Sequence, residues 1–224
     1  MIVAVVPFKS GAHAKSRLTG AMGPEQRSRL SFQMLHHVLS VLAPVPRIGE
    51  VAVVTAGEVD GTTTIPDPGH GLNAAVGAGV RWAQALRATA VLVLPADLPF
   101  LSGGDVEAML RYLTPEPGIS TGAVAMSKDG GTGGLLLRPP DLIQPAFGPA
   151  SGDRHIRLVR EAGVAPAKVR RSGLAIDIDV PGDLDLLGDD LLDIVWGGDG
   201  HDRRVGIDGT NQTREHLSRT DFEE

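Results

Sequence analysis

Three aspartates stand at the ends of apolar runs in this chain, where carboxylates can meet a divalent cation and a phosphate ester. Asp97 follows Val91-Leu92-Val93-Leu94-Pro95-Ala96 and leads into Leu98-Pro99. Asp177 and Asp179 close the run Leu174-Ala175-Ile176-Asp177-Ile178-Asp179. A strand that ends in a carboxylate places the charge at the rim of a sheet, where α/β proteins bind ligands. Hard oxygen donors of this kind suit Mg²⁺, which commonly shares its coordination with substrate phosphates. Taken singly, each Asp would equally end a strand or cap the next helix; the combination is what points to chemistry.

The loop Pro7-Phe8-Lys9-Ser10-Gly11-Ala12-His13-Ala14-Lys15-Ser16-Arg17-Leu18 brings Lys9, Lys15 and Arg17 to the same rim. It lacks the G-x-x-x-x-G-K-S/T spacing of a Walker A loop. Lys15 and Arg17 can still neutralise charge that builds on departing phosphate oxygens; the other reading is a solvated loop with ordinary basic residues. Asp67-Pro68-Gly69-His70-Gly71-Leu72-Asn73-Ala74-Ala75 opens a helix. Glycines there let backbone approach a ligand, and helix N-termini attract phosphate. Asn73 offers donors and acceptors that suit a nucleobase edge or a ribose hydroxyl, or a local cap. Phe147-Gly148-Pro149-Ala150-Ser151-Gly152-Asp153-Arg154-His155 repeats the arrangement, with a hydroxyl and two potential cations. That is a cradle for a second anion, or a turn capped by Ser151 or Asp153. Ser151 is not in a G-x-S-x-G elbow, which argues against a hydrolase of that type.

Positioning these groups requires strands that alternate with helices. Apolar runs at Ile2–Val6, Val51–Thr55, Val91–Leu94, Val124–Met126, Leu135–Leu137 and Leu174–Ile178 read as strands. Helical stripes fall at Leu30, Met34, Leu35, Val38 and Leu42, entered at Pro24; at Leu72, Val76, Val80, Ala83 and Leu86; and at Val106, Met109, Leu110 and Leu113 after Ser102. A further helix carries Ile156 and Val159. The alternation predicts βαβ units and a largely parallel sheet, with Gly130-Gly131-Thr132-Gly133-Gly134 as a loop. One domain over residues 1–196 is expected, followed by a polar, mobile tail over 197–224 with little bearing on chemistry.

Composition bounds the function. The 224 residues carry 42% hydrophobic and 21% charged side chains, ordinary for a globular chain, and a formal net charge of −6 that argues against a nucleic-acid binder. The absence of cysteine removes disulfides, thiolate nucleophiles and Cys-based zinc sites. Neither a signal segment nor a membrane-spanning run is evident, so a cytoplasmic protein is expected.

In order along the chain, Ala14-Lys15-Ser16-Arg17-Leu18, Gly71-Leu72-Asn73-Ala74-Ala75, Pro95-Ala96-Asp97-Leu98-Pro99, Gly131-Thr132, Phe147-Gly148-Pro149 to Ser151 with Arg154-His155, and Asp177-Ile178-Asp179 resemble the guanylyltransferases of coenzyme F420 biosynthesis. These act on 2-phospho-L-lactate or phosphoenolpyruvate. The resemblance spans Met1 to Leu192. It implies a Rossmann-like α/β nucleotidyltransferase sandwich with a mixed, mostly parallel sheet, GTP as donor, and release of pyrophosphate. By the same resemblance Asp97, Asp177 and Asp179 match the Mg²⁺-binding acids. Lys15, Gly71, Asn73 and Pro95 fall on the nucleotide side, and Thr132, Gly148 and Ser151 match the part that holds the phosphorylated acid. Phospholactate-type members tend to carry Thr-Asn after the glycine turn. The Thr132-Gly133-Gly134 of this chain points instead toward phosphoenolpyruvate.

The expected chemistry is attack of an acceptor phosphate oxygen on the α-phosphorus of GTP, with Asp97, Lys15 and Arg17 as the catalytic groups. Two other readings stand beside it. One is a nucleotidyltransferase with another acceptor, such as 3-phosphoglycerate or a molybdopterin, although the Leu-x-Gly-Gly first loop usual in the molybdopterin and sugar-phosphate families is replaced here by Pro7-Phe8-Lys9. The other is a GTP-binding regulator without turnover, which would not need three converging acids.

Overall fold

The computed structural model describes residues 1–9, 15–116 and 118–188. The boundary expected at 196 and the segment 197–224 lie outside the described residues. In chain order the elements are β1 (Ile2–Pro7), α1 (Pro24–Leu42), β2 (Ile48–Thr55), β3 (Thr63–Pro66), α2 (Leu72–Ala85), β4 (Ala90–Val93), α3 (Gly103–Leu110), β5 (Thr121–Met126), β6 (Thr132–Arg138), α4 (Ser151–Glu161), β7 (Ala167–Val169) and the single turn α5 (Ser172–Ala175). The strands form one seven-stranded sheet in the order β3-β2-β1-β4-β6-β5-β7. β6 runs antiparallel to both its neighbours, and the remaining pairings are parallel.

Alternation along β1 shows why the sheet is covered on both faces. Ala4 and Val6 belong to one buried cluster, with Leu35, Val38 and Leu42 of α1 and Val106, Met109 and Leu110 of α3. Val3 and Val5 belong to the other, with Val76, Val80 and Ala83 of α2 and Ile156 and Val159 of α4. A continuous apolar strand of this kind has no solvent face to give up. The mixed α/β sandwich is therefore the fold that the sequence implied.

A third, smaller cluster places the chemistry. Leu18 and Met22 after the basic loop, Leu30 and Met34 of α1, and Ile178 and Leu187 near the C-terminal end pack together. Leu18 and Ile178 are both fully buried, and burying such a side chain contributes about 1.5–3 kcal/mol. The contact ties the basic loop to the second acidic motif, more than 150 residues away in sequence.

Two expectations are corrected. Leu174–Ile178 does not form a strand: Ser172–Ala175 is a helical turn and the following residues run alongside the sheet without joining it. Leu174 and Ile178 are buried by packing between elements, and an apolar run alone does not distinguish that from a strand. The glycine run is not wholly a loop either, since Thr132, Gly133 and Gly134 begin β6. A methyl group on Gly133 would lie 1.7 Å from the carbonyl oxygen of Leu174. The glycine is there for close approach of two backbones. The short strands β3 and β7, with one large aliphatic residue each, were not anticipated.

Candidate active site

β1 lies between β2 on one side and β4 on the other, so the chain reverses its direction of winding there. The crevice at such a switch point is where open α/β sheets bind ligands. β6 is antiparallel, so its first residue, Thr132, reaches the same rim as the C-terminal ends of β4 and β5. A cleft of about 730 Å³ opens at this rim. Its walls include Lys15, Arg17, Gly71, Pro95, Asp97, Thr132, Gly148, Ser151, Asp177 and Asp179. Asn73 is the one expected site residue that does not line it.

One carboxylate oxygen from each of Asp97, Asp177 and Asp179 lies within 4.8 Å of the other two, the one such acidic group among the described residues. Burial of Ile178 explains the aim of its neighbours. With Ile178 turned inward, both flanking aspartates turn outward to meet Asp97, which follows β4. Lys15, in a left-handed backbone conformation (φ 48°), places its ammonium between two of them. Nζ donates to Asp97 and, at 2.9 Å, to Asp179, while Arg17 Nη1 donates to Asp179 at 3.2 Å. Lys15 is nearly buried and Arg17 is exposed.

The electrostatics follow from this crowding. Burial works against the Lys15 ammonium, but the carboxylates of Asp97 and Asp179 outweigh it and raise its pKa above the ordinary value. Among the described residues Asp177 has no ion pair of its own. Burial, then the neighbouring charges of Asp97 and Asp179, push its carboxyl up to about 6. A carboxylate held at such cost is what a metal or another cation relieves. Three hard oxygen donors at this spacing, open to a cleft that can admit phosphates, fit a divalent cation of the magnesium type.

The far wall is built from Thr132, Ser151 and the loop before α4. Thr132 Oγ1 lies 2.9 Å from both Ser151 Oγ and His155 Nδ1. The loop is clamped from two helices. Asn73 Nδ2 donates to the Phe147 carbonyl at 3.0 Å, and its Oδ1 accepts from the Phe147 N–H at 2.6 Å. Arg154 donates to the carbonyls of Ala146 and Pro149. One N–H and one lone pair remain on the Asn73 amide, but its orientation is set by the loop it holds. The two potential cations of this stretch do not line the cleft: Arg154 donates to carbonyls, and His155 is fully buried.

Sequence reasoning passed over two features. Asp129 and Ser127, in the β5–β6 hairpin, also line the cleft. The Ser127 hydroxyl and the Gly131 N–H hold the Asp129 carboxyl below its ordinary pKa. A carboxylate before Gly-Gly reads as turn chemistry, and nothing local distinguished it. His155 read only as a potential cation; its partners prove to be a hydroxyl and a backbone N–H.

Burial, then the adjacent Arg154 charge, lower the His155 pKa to about 4, against an ordinary 6.5. Between those values the unfolded chain binds the proton and the fold does not, so this group's contribution to stability is intact above pH 6.5 and is lost as pH falls toward 4. His155→Gln cannot titrate. Its stability deficit against the parent should therefore narrow through that window, as urea denaturation at about pH 7.5, 5.5 and 4.5 would show. A constant gap would mean that the imidazole titrates normally.

This architecture is that of a nucleotidyltransferase. A solved nucleotidyl transferase from Methanothermobacter thermautotroptrophicus aligns with a TM-score of 0.62 at 18% identity, covering 86% of this chain and 98% of that one. The chain belongs to the family described as Guanylyl transferase CofC like, whose model matches residues 2–204. It is similar to the phosphoenolpyruvate guanylyltransferase of Sphaerobacter thermophilus, with 37% identity over 83% of this chain and 91% of that protein. It is also similar to the 2-phospho-L-lactate guanylyltransferase of Methanopyrus kandleri (34% identity, 80% and 87% covered). The 3-phospho-D-glycerate guanylyltransferase of Phenylobacterium zucineum is 35% identical, with 82% and 88% covered. No helix among the described residues is long and apolar enough to cross a membrane.

Proposed function

We propose that this protein transfers GMP from GTP to phosphoenolpyruvate, or to 2-phospho-L-lactate, in the formation of coenzyme F420, releasing pyrophosphate. The observation that carries the reading is the convergence of Asp97, Asp177 and Asp179 beside Lys15 at the mouth of the switch-point cleft. The names borne by its relatives support guanylyl transfer to a small phosphorylated acid. A cytoplasmic location, and a catalytic unit that owes nothing to 197–224, belong to the same reading.

In this reaction an ionised oxygen of the acceptor phosphate forms a bond to the α-phosphorus of GTP. The bond from that phosphorus to the β-phosphate bridging oxygen breaks, and pyrophosphate leaves with the electron pair. No proton has to be removed from the attacking oxygen, so the site needs no general base. What it must overcome is repulsion between two polyanions. Lys15 and Arg17 supply positive charge on the side of the basic loop, where the leaving group gathers charge. Gly71 and Pro95 give the nucleotide a wall without bulky side chains. Thr132, Gly148 and Ser151 form the opposite wall and receive the acid. Asp97, Asp177 and Asp179 would hold Mg²⁺, which, when bound, neutralises phosphate charge and favours in-line geometry.

Mass spectrometry of products from GTP and Mg²⁺ with phosphoenolpyruvate, 2-phospho-L-lactate and 3-phosphoglycerate in competition tests this directly. The expected product is the guanosine diphosphate conjugate of phosphoenolpyruvate. A predominant 3-phosphoglycerate conjugate, or no conjugate with any of the three, would overturn the assignment.

A further inference from the structure

Behind the acceptor wall lies a hydrogen-bond chain whose first link is dictated by the backbone. The Ala146 N–H donates to His155 Nε2 at 2.8 Å. A backbone amide can only donate, so Nε2 carries no proton and the neutral imidazole must carry it on Nδ1. Nδ1–H therefore donates to Thr132 Oγ1 at 2.9 Å. Thr132 Oγ1 and Ser151 Oγ, also 2.9 Å apart, then share one hydrogen between them, and either hydroxyl can be its donor. One hydroxyl hydrogen of the pair is therefore left over, for which no partner exists among the described residues. Thr132 and Ser151 both line the cleft.

We propose that His155 is a positioning residue: by holding the Nδ1–H tautomer it leaves the Thr132–Ser151 hydroxyl pair one hydrogen to donate to an anionic oxygen of the second substrate. The proposal rests on the reading that this end of the cleft receives a phosphorylated acid. The opposite tautomer makes the consequence plain. An imidazole protonated on Nε2 would face the Ala146 N–H donor to donor. Its bare Nδ1 would accept from Thr132, Thr132 would accept from Ser151, and Ser151 would turn a lone pair toward the cleft and repel an anion. Three features hold the working direction. His155 is fully buried, its ring packs edge-to-face on Phe147 at 4.8 Å, and its depressed basicity keeps it neutral. It touches no reacting atom and is not the base of the reaction.

The first test needs no substrate. In ¹⁵N-histidine-labelled protein, with the His155 signals assigned by their loss in His155→Gln, Nε2 should resonate as a bare, pyridine-like nitrogen and Nδ1 as a protonated one. The reverse pattern overturns the relay whatever the acceptor is. The second test is kinetic, with phosphoenolpyruvate as the probe. His155→Gln can still accept from Ala146 but cannot donate to Thr132, so KM for phosphoenolpyruvate should rise roughly ten- to a hundredfold, with KM for GTP unchanged. His155→Asn keeps a donor near the Nδ1 position and should recover most of that loss. Adding His155→Gln to Thr132→Val should cost nothing further, because the relay is already cut. Equal damage in the Gln and Asn variants, or a KM for GTP that rises in step, would reduce His155 to a packing residue. A protein that shows the expected tautomer yet uses no phosphorylated acid would leave the relay standing and refute its purpose, along with the assigned reaction.

Discussion

Asp97→Asn should lower turnover about a thousandfold, corresponding to the several kcal/mol of charge stabilisation that a metal supplies to phosphoryl transfer. The substitution keeps the shape of the side chain and removes its charge. Asp97 lies within reach of Asp177, Asp179 and the Lys15 ammonium. Stability should change little, because Lys15 retains Asp179 at 2.9 Å. A melting temperature within about 4 °C of the parent is expected, the shift that about 1 kcal/mol produces in a chain of this size. Pyrophosphate release, calorimetric melting and Mg²⁺ titration measure the three quantities separately. Native turnover in a folded Asn variant would remove Asp97 from the reaction.

Gly133→Ala should damage the site through the backbone that supports it. The added methyl would meet the Leu174 carbonyl at 1.7 Å, a distance that side-chain motion cannot relieve because both groups are backbone-fixed. The turn at 172–175 has nowhere to retreat. On its other side a methyl on Gly173 would lie 2.2 Å from Asp105 Oδ2, and Arg171 Nε donates to Asp105 at 2.7 Å. Forcing the two backbones apart should destabilise the fold by about 1–3 kcal/mol. It should also displace Asp177 and Asp179, and misplacement of about 1 Å can cost a hundredfold in rate. Gly103→Ala, which would meet no atom within 4 Å, is the control and should alter neither property. Denaturant unfolding and pyrophosphate release check both effects; native turnover in Gly133→Ala would show that the turn does not position the acids.

Much of this was legible because local pattern and global fold agree. The apolar runs at β1, β4 and β6 have no solvent face, and the stripes of α1, α2 and α3 have the helical period. The three acids could be grouped before their geometry was known, since each ends an apolar run. Other features depended on contacts that no local signal carries. β3 and β7 hold one large aliphatic residue each and become strands only because a neighbour offers an edge. Leu174 to Ile178 reads as a strand by composition, yet the place beside β5 belongs to β7. The role of Asn73 was ambiguous for the same reason, because the backbone it grips at Phe147 is 74 residues away. His155 read as a potential cation, and its positioning role was hidden because its partners are a hydroxyl and an amide rather than a carboxylate.

The inward lodging of Ile178 between two outward aspartates has a consequence for how this stretch can vary. Extended backbone alternates sides at every residue, so adding or deleting one position between Ala175 and Asp177, where the chain has left the helical turn, would turn both acids into the protein interior and expel the isoleucine. Substitutions here are open to compensation. Changes of length are not.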